Sequence, residues 1–310
     1  MDIPVVVVTL NRSADIEAWL GSVAKLAEGK HNVHAVPFVV DNGSSDPTVG
    51  RLADAVRASS LERENVVWLP RNYGFTAAQN IALRKIVAHT DYKYVATLNL
   101  DATAEPSWLA DLVANAEDGP NPKAAMWASN IYQPNRSGWI SSRGHRFSPE
   151  NGKCYDIDWN VREGEAQSSA AEFEPFGPCF AASMWTTETL RCVGLPDNDQ
   201  FMYYDDIDLA FKARLHGKVC QFAKEAVAYH PLPGSTSSYG AFAHQQREGQ
   251  LCIVSRYFPE PERGRILANL SAEDRAVLNM IPNSRLAQVG KESARRALFD
   301  EWKDRNTRKK

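Results

Sequence analysis

Positions 201 to 217 read FMYYDDIDLAFKARLHG, with three aspartates within four residues directly behind an aromatic tetrapeptide. Ile207, Phe211 and Leu215 recur at i, i+4 and i+8, which predicts the buried stripe of a helix starting near Asp205. The helix dipole favours acids in a first turn, and Asp208 four residues before Lys212 predicts an ion pair on an exposed or half-exposed face. Neither effect accounts for the doubling at Asp205 and Asp206. Adjacent carboxylates repel and the aromatics partly desolvate them, and both effects raise a carboxyl pKa toward the range that a general base needs.

Three further clusters carry chemistry. Asp41 opens DNGSSD, where a strand-terminal carboxylate can take the N3–H of a pyrimidine or the hydroxyls of a ribose; the same letters equally make a turn and a helix N-cap. In NLDA, Asn99 and Asp101 alternate along an extended segment and point the same way, as hard-cation ligands for Mg2+ or Mn2+ do. Asp101 equally suits the cap of a helix near Pro106 to Val113. His230 closes an apolar strand, Ala226 to Tyr229, before PLPGSTSS, and is a metal ligand, a phosphate contact or an ordinary hydrogen-bonded residue.

A frame must bring these clusters together. Ile3 to Leu10 (IPVVVVTL) is a β-branched run of the kind buried on both faces of a parallel sheet. Helical spacing follows over Asp15 to Leu26, then a strand at Val36 to Val40, a helix from Thr48 to Ala58 and a strand at Val66 to Leu69. A helix from Thr76 to Ala88 and a strand at Tyr94 to Leu98 complete the rhythm of a doubly wound α/β sheet. Such sheets bind ligands beyond the carboxyl ends of their strands. Here those ends run into Thr9-Leu10-Asn11-Arg12, Asp41 to Asp46, Arg71-Asn72-Tyr73-Gly74-Phe75 and Asn99 to Asp101. Residues 130–172 lose the periodicity and read as an irregular insertion near the site; from Ala241 the chain turns helical, with Leu251, Val254, Tyr257 and Phe258 on one face.

The 310 residues suffice for one large α/β domain or two small ones. A net charge of −3 supplies no global basic field for nucleic acid. Five scattered cysteines without a C-x-x-C argue against a zinc site or disulfide framework and fit a reducing cytoplasm. The N-terminal apolar run is too short for a secretion signal, and no window suits a membrane-spanning helix, so any membrane work would be peripheral. The last twenty residues carry +4, and Leu298, Phe299 and Trp302 would form the apolar side of a helix lying on an anionic surface; a solvated terminal helix is the alternative.

In this order the clusters resemble the family 2 glycosyltransferases of the GT-A fold, a Rossmann-like mixed sheet, over roughly Val5 to Ser238. The resemblance implies a glycosyltransferase domain at 1–240 and a helical C-terminal extension at 241–310 with a basic tail. It implies Asp206 as catalytic base, Asp205 beside it in a slot usually held by Glu, and Asp101 with His230 on a divalent metal, Mg2+ or Mn2+. Donor contacts would come from Thr9, Asn11, Arg12, Asp41, Asn42, Ser44, Asp46, Arg71, Asn72, Gly74, Asn80, Asn99 and Asp101. Asn99 departs from the strict D-x-D metal motif. The implied reaction is inverting transfer from a nucleotide sugar to a polysaccharide or lipid-linked glycan. Phe176 to Ala182, NLDA and the Arg247 to Phe258 pattern are similar to those of bacterial rhamnosyltransferases using dTDP-L-rhamnose; UDP-hexose and UDP-galactofuranose are alternative donors. Trp139, Trp159 and Tyr204 fall on the acceptor side, where the tryptophans either stack on sugar rings or pack in the core. An oxidoreductase would need G-x-G-x-x-G after the first strand, where Thr9 to Arg12 has no glycine. A non-catalytic nucleotide-sugar-binding module would keep Asp41 and Asp101 without needing the base.

Overall fold

Both faces of the first strand are covered, which is why it reads as an unbroken apolar run. In the computed structural model, β1 (Asp2–Thr9) sends Ile3, Val5 and Val7 to one core and Val6 to another on the opposite face. The structure describes all residues except 27–30, 46, 59–61, 90, 167, 169–172, 232–241 and 308–310. Asp46, most of the serine-rich loop after His230 and the last three basic residues of the tail lie outside the described residues.

From β1 the chain runs through α1 (Ser13–Val23), β2 (His34–Asp41), α2 (Thr48–Ala58), β3 (Val66–Trp68), α3 (Phe75–Ala88) and β4 (Tyr94–Leu98). β5 (Thr103–Ala104), α4 (Trp108–Asp118), β6 (Ala124–Tyr132), β7 (Ile140–Ser142), β8 (His145–Phe147) and β9 (Cys154–Asp156) follow. Then come β10 (Ala182–Thr186), α5 (Thr187–Val193), α6 (Asp205–Leu215) and β11 (Val219–Tyr229). Helices α7 (Ala243–Tyr257), α8 (Glu262–Ala268), α9 (Ala272–Met280), α10 (Asn283–Leu286) and α11 (Glu292–Thr307) close the chain.

The main sheet is mixed, in the order β3-β2-β1-β4-β10-β6-β11-β5, with β7 beside β6. Its first half is parallel; β10 enters antiparallel between β4 and β6, and β11 returns parallel to β6. α1, α2 and α4 supply the helical side of one core, with Trp19 and Trp108 fully buried and their ring N–H groups donating to the Leu98 carbonyl (3.1 Å) and to Ser129 Oγ (2.8 Å). α3, α6, α7 and α11 supply the other.

Several expectations need correction. The irregular insertion does not begin at Asn130, which sits inside β6, a central strand. The runs AAMWASNIY and ASMWT (β6 and β10) carry few β-branched residues, and tertiary burial on both sides decides their conformation. The segment beyond β6 is held by Arg143, which is buried. It donates to Asn130 Oδ1 (2.9 Å), Ser168 Oγ (2.6 Å) and Glu163, and lies 3.7 Å from Asp158. Asp208 is not on an exposed face. It keeps its pair with Lys212 (2.8 Å), but is buried, 3.1 Å from Arg256, and accepts a 2.6 Å hydrogen bond from the Tyr257 hydroxyl. It ties α6 to α7.

The apolar side of the C-terminal helix faces neither a membrane nor water. Leu298, Phe299 and Trp302 are buried against Phe147, Phe176, Phe211 and Phe258, so α7 and α11 share a core with the sheet. Arg296 and Arg305 pair with Glu262, Asp300, Glu174 and Glu301. No helix among the described residues is long and apolar enough to cross a membrane, and all five cysteines are free.

Candidate active site

β1 and β2 end in register, Thr9 opposite Asp41. Asp41 Oδ1 accepts from the Gly43 (3.2 Å) and Ser44 (3.0 Å) amides, an Asx-type turn that closes the strand. Thr9 Oγ1 and Asp41 Oδ2 are buried and have no hydrogen-bond partner among the described residues. Unpaired buried polar atoms are costly, and these two lie opposite each other at adjacent strand ends. Asn11, at positive φ, accepts from the Ser45 amide (2.8 Å) through its side chain, and its own amide donates to Ser44 Oγ (2.9 Å). Arg12 is exposed and paired with Asp15.

A third turn packs against these two. Gly43 has φ +80, and a Cβ there would lie 2.3 Å from the Arg71 backbone, so only glycine allows this approach. Asn42 donates to Asn72 Oδ1 (2.9 Å) and accepts from the Tyr73 amide (3.0 Å), while Asn72 accepts from the Gly74 amide (2.8 Å). Asn42 is buried and acts as a brace between turns. Arg71 is exposed, its guanidinium 4.7 Å from the centre of the Tyr73 ring. Asn80 is fully buried; its Nδ2 donates to the Pro196 carbonyl and Asn198 Oδ1, both at 2.8 Å, while its Oδ1 has no hydrogen-bond partner among the described residues.

At the end of β4 the Asn99 amide donates to the Ala181 carbonyl (2.9 Å). Two residues on, Asp101 Oδ1 lies 3.3 Å from His230 Nε2 at the end of β11, although 129 positions separate them. Burial opposes ionisation of Asp101, but the hydrogen bond and charge of His230, its own amide and Arg12 outweigh it and hold the carboxyl below its usual range. One carboxylate and one imidazole, both partly open to solvent, fit a divalent cation whose remaining positions go to phosphate oxygens and water.

The aspartate pair sits on the same rim. Asp206 Oδ2 accepts from the Phe180 amide (3.3 Å), next to the Ala181 that pairs with Asn99. The left-handed Tyr203 and Tyr204 turn the chain into α6, so that Asp205 is buried while Asp206 keeps a partly open carboxylate. The pair is electrostatically divided. Burial, then the charge of Asp206, push Asp205 up to about 7. Burial also opposes ionisation of Asp206, but the charge and hydrogen bond of His145 and the Phe180 and Ile207 amides outweigh it and hold that carboxyl down. Because Asp205 keeps its proton in the folded state up to about 7 while the unfolded chain releases it at about 4, it lowers stability by an amount that grows with pH from about 4 to about 7 and is constant above that. Asp205→Asn mimics the neutral acid, so it should raise Tm by a margin that grows over that interval and then levels off. A pH-independent gain across a Tm series would contradict the burial argument.

His145 escapes sequence reasoning. It lies outside every motif, and its only local signal is Gly144 before it, at φ +90. On the acceptor side, Trp159 is exposed, whereas Trp139 is half-buried with Arg136 3.6 Å from its ring centre, so one ring face is already covered. The Tyr204 hydroxyl accepts from the Cys154 amide (3.3 Å) and ties α6 to the β8–β9 hairpin.

The family model for glycosyl transferase family 2 matches residues 5–169. No curated protein sequence matches the chain. Among solved structures, Staphylococcus aureus TarS is 16% identical with a TM-score of 0.55, covering 100% of this chain, which spans 54% of that protein. TarS 1–349 in complex with UDP-GlcNAc is 16% identical with a TM-score of 0.55, covering 93% of this chain and 84% of its own. The mannosyltransferase PcManGT from Pyrobaculum calidifontis, in complex with GDP-Man and Mn2+, is 16% identical with a TM-score of 0.53 and covers 99% and 83%. At these identities the likeness is one of fold, the GT-A architecture.

Proposed function

The chain belongs to glycosyl transferase family 2, and from that premise we propose that it transfers a sugar from a nucleoside diphosphate donor to a glycan hydroxyl with inversion, Asp206 acting as the base. The observation that supports this reading is the relay from Asp206 through the Phe180 amide and the Ala181 carbonyl to Asn99, two residues before Asp101, which pairs with His230. The unpartnered Thr9 and Asp41 oxygens lie at the ends of β1 and β2, next to β4 in the same sheet, and suit the nucleoside.

Asp101 and His230 would hold a divalent ion, which when bound neutralises charge on the departing diphosphate. Asp41 orients the nucleoside, and the exposed Arg71 offers a second cation to the phosphates. Asp206 Oδ1 accepts the proton of the acceptor hydroxyl as that oxygen bonds to the anomeric carbon. The bond to the diphosphate oxygen breaks from the opposite side, its electron pair leaving on the diphosphate, and configuration inverts. The structural neighbours bound to UDP-GlcNAc and GDP-Man support a nucleotide-sugar donor. The Phe176 to Ala182 run and the Arg247 to Phe258 pattern favour dTDP-L-rhamnose, with UDP-hexose or UDP-galactofuranose next, and a polysaccharide or lipid-linked glycan as acceptor.

Thermal shift against dTDP-, UDP- and GDP-sugars, each with Mg2+ or Mn2+, tests the donor. At a hundredfold excess over Kd, binding adds about 2.7 kcal/mol, a rise of several degrees in Tm. We expect dTDP-L-rhamnose with metal to give the largest rise and slow hydrolysis. No stabilisation by any nucleotide sugar would refute the function, and a larger rise with a UDP-sugar would reassign the donor.

A further inference from the structure

We propose that His145 is a positioning residue that makes Asp206, rather than the adjacent Asp205, the proton acceptor. The inference rests on the proposed transferase reading and deepens it. His145 Nε2 lies 2.8 Å from Asp206 Oδ2, and Nδ1 lies 3.3 Å from Asp156 Oδ1, so the ring is held between two carboxylates. Oδ2 of Asp206 receives both His145 and the Phe180 amide, whereas among the described residues Oδ1 receives only the Ile207 amide (2.9 Å). Oδ1 therefore keeps the freer lone pair for an incoming hydroxyl.

The fold fixes the ring from both sides. The His145 amide donates to the Gly177 carbonyl and its own carbonyl accepts from the Phe176 amide, both at 2.7 Å, while His145 pairs with Asp156 across the β8–β9 hairpin. A Cβ at Gly177 would lie 2.5 Å from Ala210 Cβ, so glycine there lets this segment press against α6, one turn beyond Asp206. The titratable groups acting on the ring are Asp156 from β9, Cys179 from the segment before β10 and Asp206 at the start of α6; Cys154, Tyr204 and Asp205 act in turn on Asp206. Burial keeps both thiols and the phenol protonated. Burial also disfavours the imidazolium, but the charges of Asp206 and Asp156 outweigh it and hold His145 protonated well above its ordinary range.

A buried cation between two acids is a poor stabilising device, since well-packed apolar groups of similar volume serve as well or better. Its distinct effect is to divide the pair. Without His145, two adjacent carboxyls under burial and mutual repulsion would contend for one proton.

Two measurements on the full chain decide the matter. Ring 15N NMR of His145 should show an imidazolium at pH 7.5 in the wild type, and a neutral ring at lower pH in Asp206→Asn than in the wild type. This readout needs no donor. In pH profiles of donor turnover, His145→Gln should move the acid limb of kcat to higher pH. It should lose roughly tenfold at pH 6 and return to within about twofold of wild type by pH 9, with the donor KM unchanged. His145→Ala should shift the same limb. A neutral ring at pH 7.5, an unshifted limb, or a pH-independent loss accompanied by a lower Tm would overturn the proposal. Asp206→Asn retaining full turnover while the imidazolium persists would instead identify the base assignment as the failure, and this role would fall with it.

Discussion

Asp206→Asn will leave nucleotide-sugar binding intact and slow transfer by roughly 10² to 10⁴. The amide keeps the size of the carboxylate, and its oxygen can still accept from the Phe180 amide and His145. Lost are the charge and the ability to take a proton. Asp206 is held ionised by His145 and two backbone amides, so the wild-type base needs no deprotonation at neutral pH, and the substitution removes it at every pH. The proposed nucleoside-side groups, Thr9 and Asp41, end β1 and β2, whereas Asp206 lies in the first turn of α6, so donor-induced thermal stabilisation should match wild type. Product formation with a saturating acceptor, set beside the thermal shift, separates the two effects. Wild-type transfer by the variant would refute the assignment.

Removing α11, by ending the chain before Glu292, will abolish stable folding rather than release a surface anchor. Trp302 packs edge-on to Phe176 (4.9 Å between ring centres), lies 6.2 Å from Phe147 and carries the Arg214 guanidinium 4.7 Å from its ring centre, while Phe299 meets Phe258 at 5.2 Å. Truncating one such aromatic to alanine costs about 3 to 5 kcal/mol, and a whole domain holds only about 5 to 15 kcal/mol. Losing Leu298, Phe299 and Trp302 together consumes most or all of that margin. Urea unfolding is the measurement: Trp302→Ala should lower the midpoint sharply, and the truncated chain should show no cooperative transition. A truncated protein with the wild-type midpoint would show that α11 does not complete the core. The effect reaches the site, because Phe147 and Phe176 flank His145 and Gly177 and set the approach of the hairpin to α6.

The elements read from local pattern are those whose signal is local. β1, β2 and β4 are dense β-branched or apolar runs ending in polar turns, and α3 and α6 show helical spacing with defined starts. β6 and β10 escaped because alanine, serine, asparagine and methionine carry little strand preference, and their partners lie far along the chain. Asp208 and Lys212 were legible as a pair from their spacing, but not as buried, since α7 covers them from about 45 residues downstream. Trp302 was legible as one face of an amphipathic helix, but no periodicity says whether that face meets lipid, water or the protein's own aromatics.

By itself the sequence determined the strand-ending clusters, the doubled aspartate at the start of a helix and the family to which their order belongs. The tertiary structure alone decided how that doubling is resolved. It places His145, 61 residues before Asp206, at 2.8 Å from one carboxylate of the pair and leaves the other buried without that cation. The physical reason is range. Helical and strand periodicity, caps and turns are written over a few residues, whereas the charge state of a buried carboxyl depends on desolvation and on the partner that packing brings within a few ångströms.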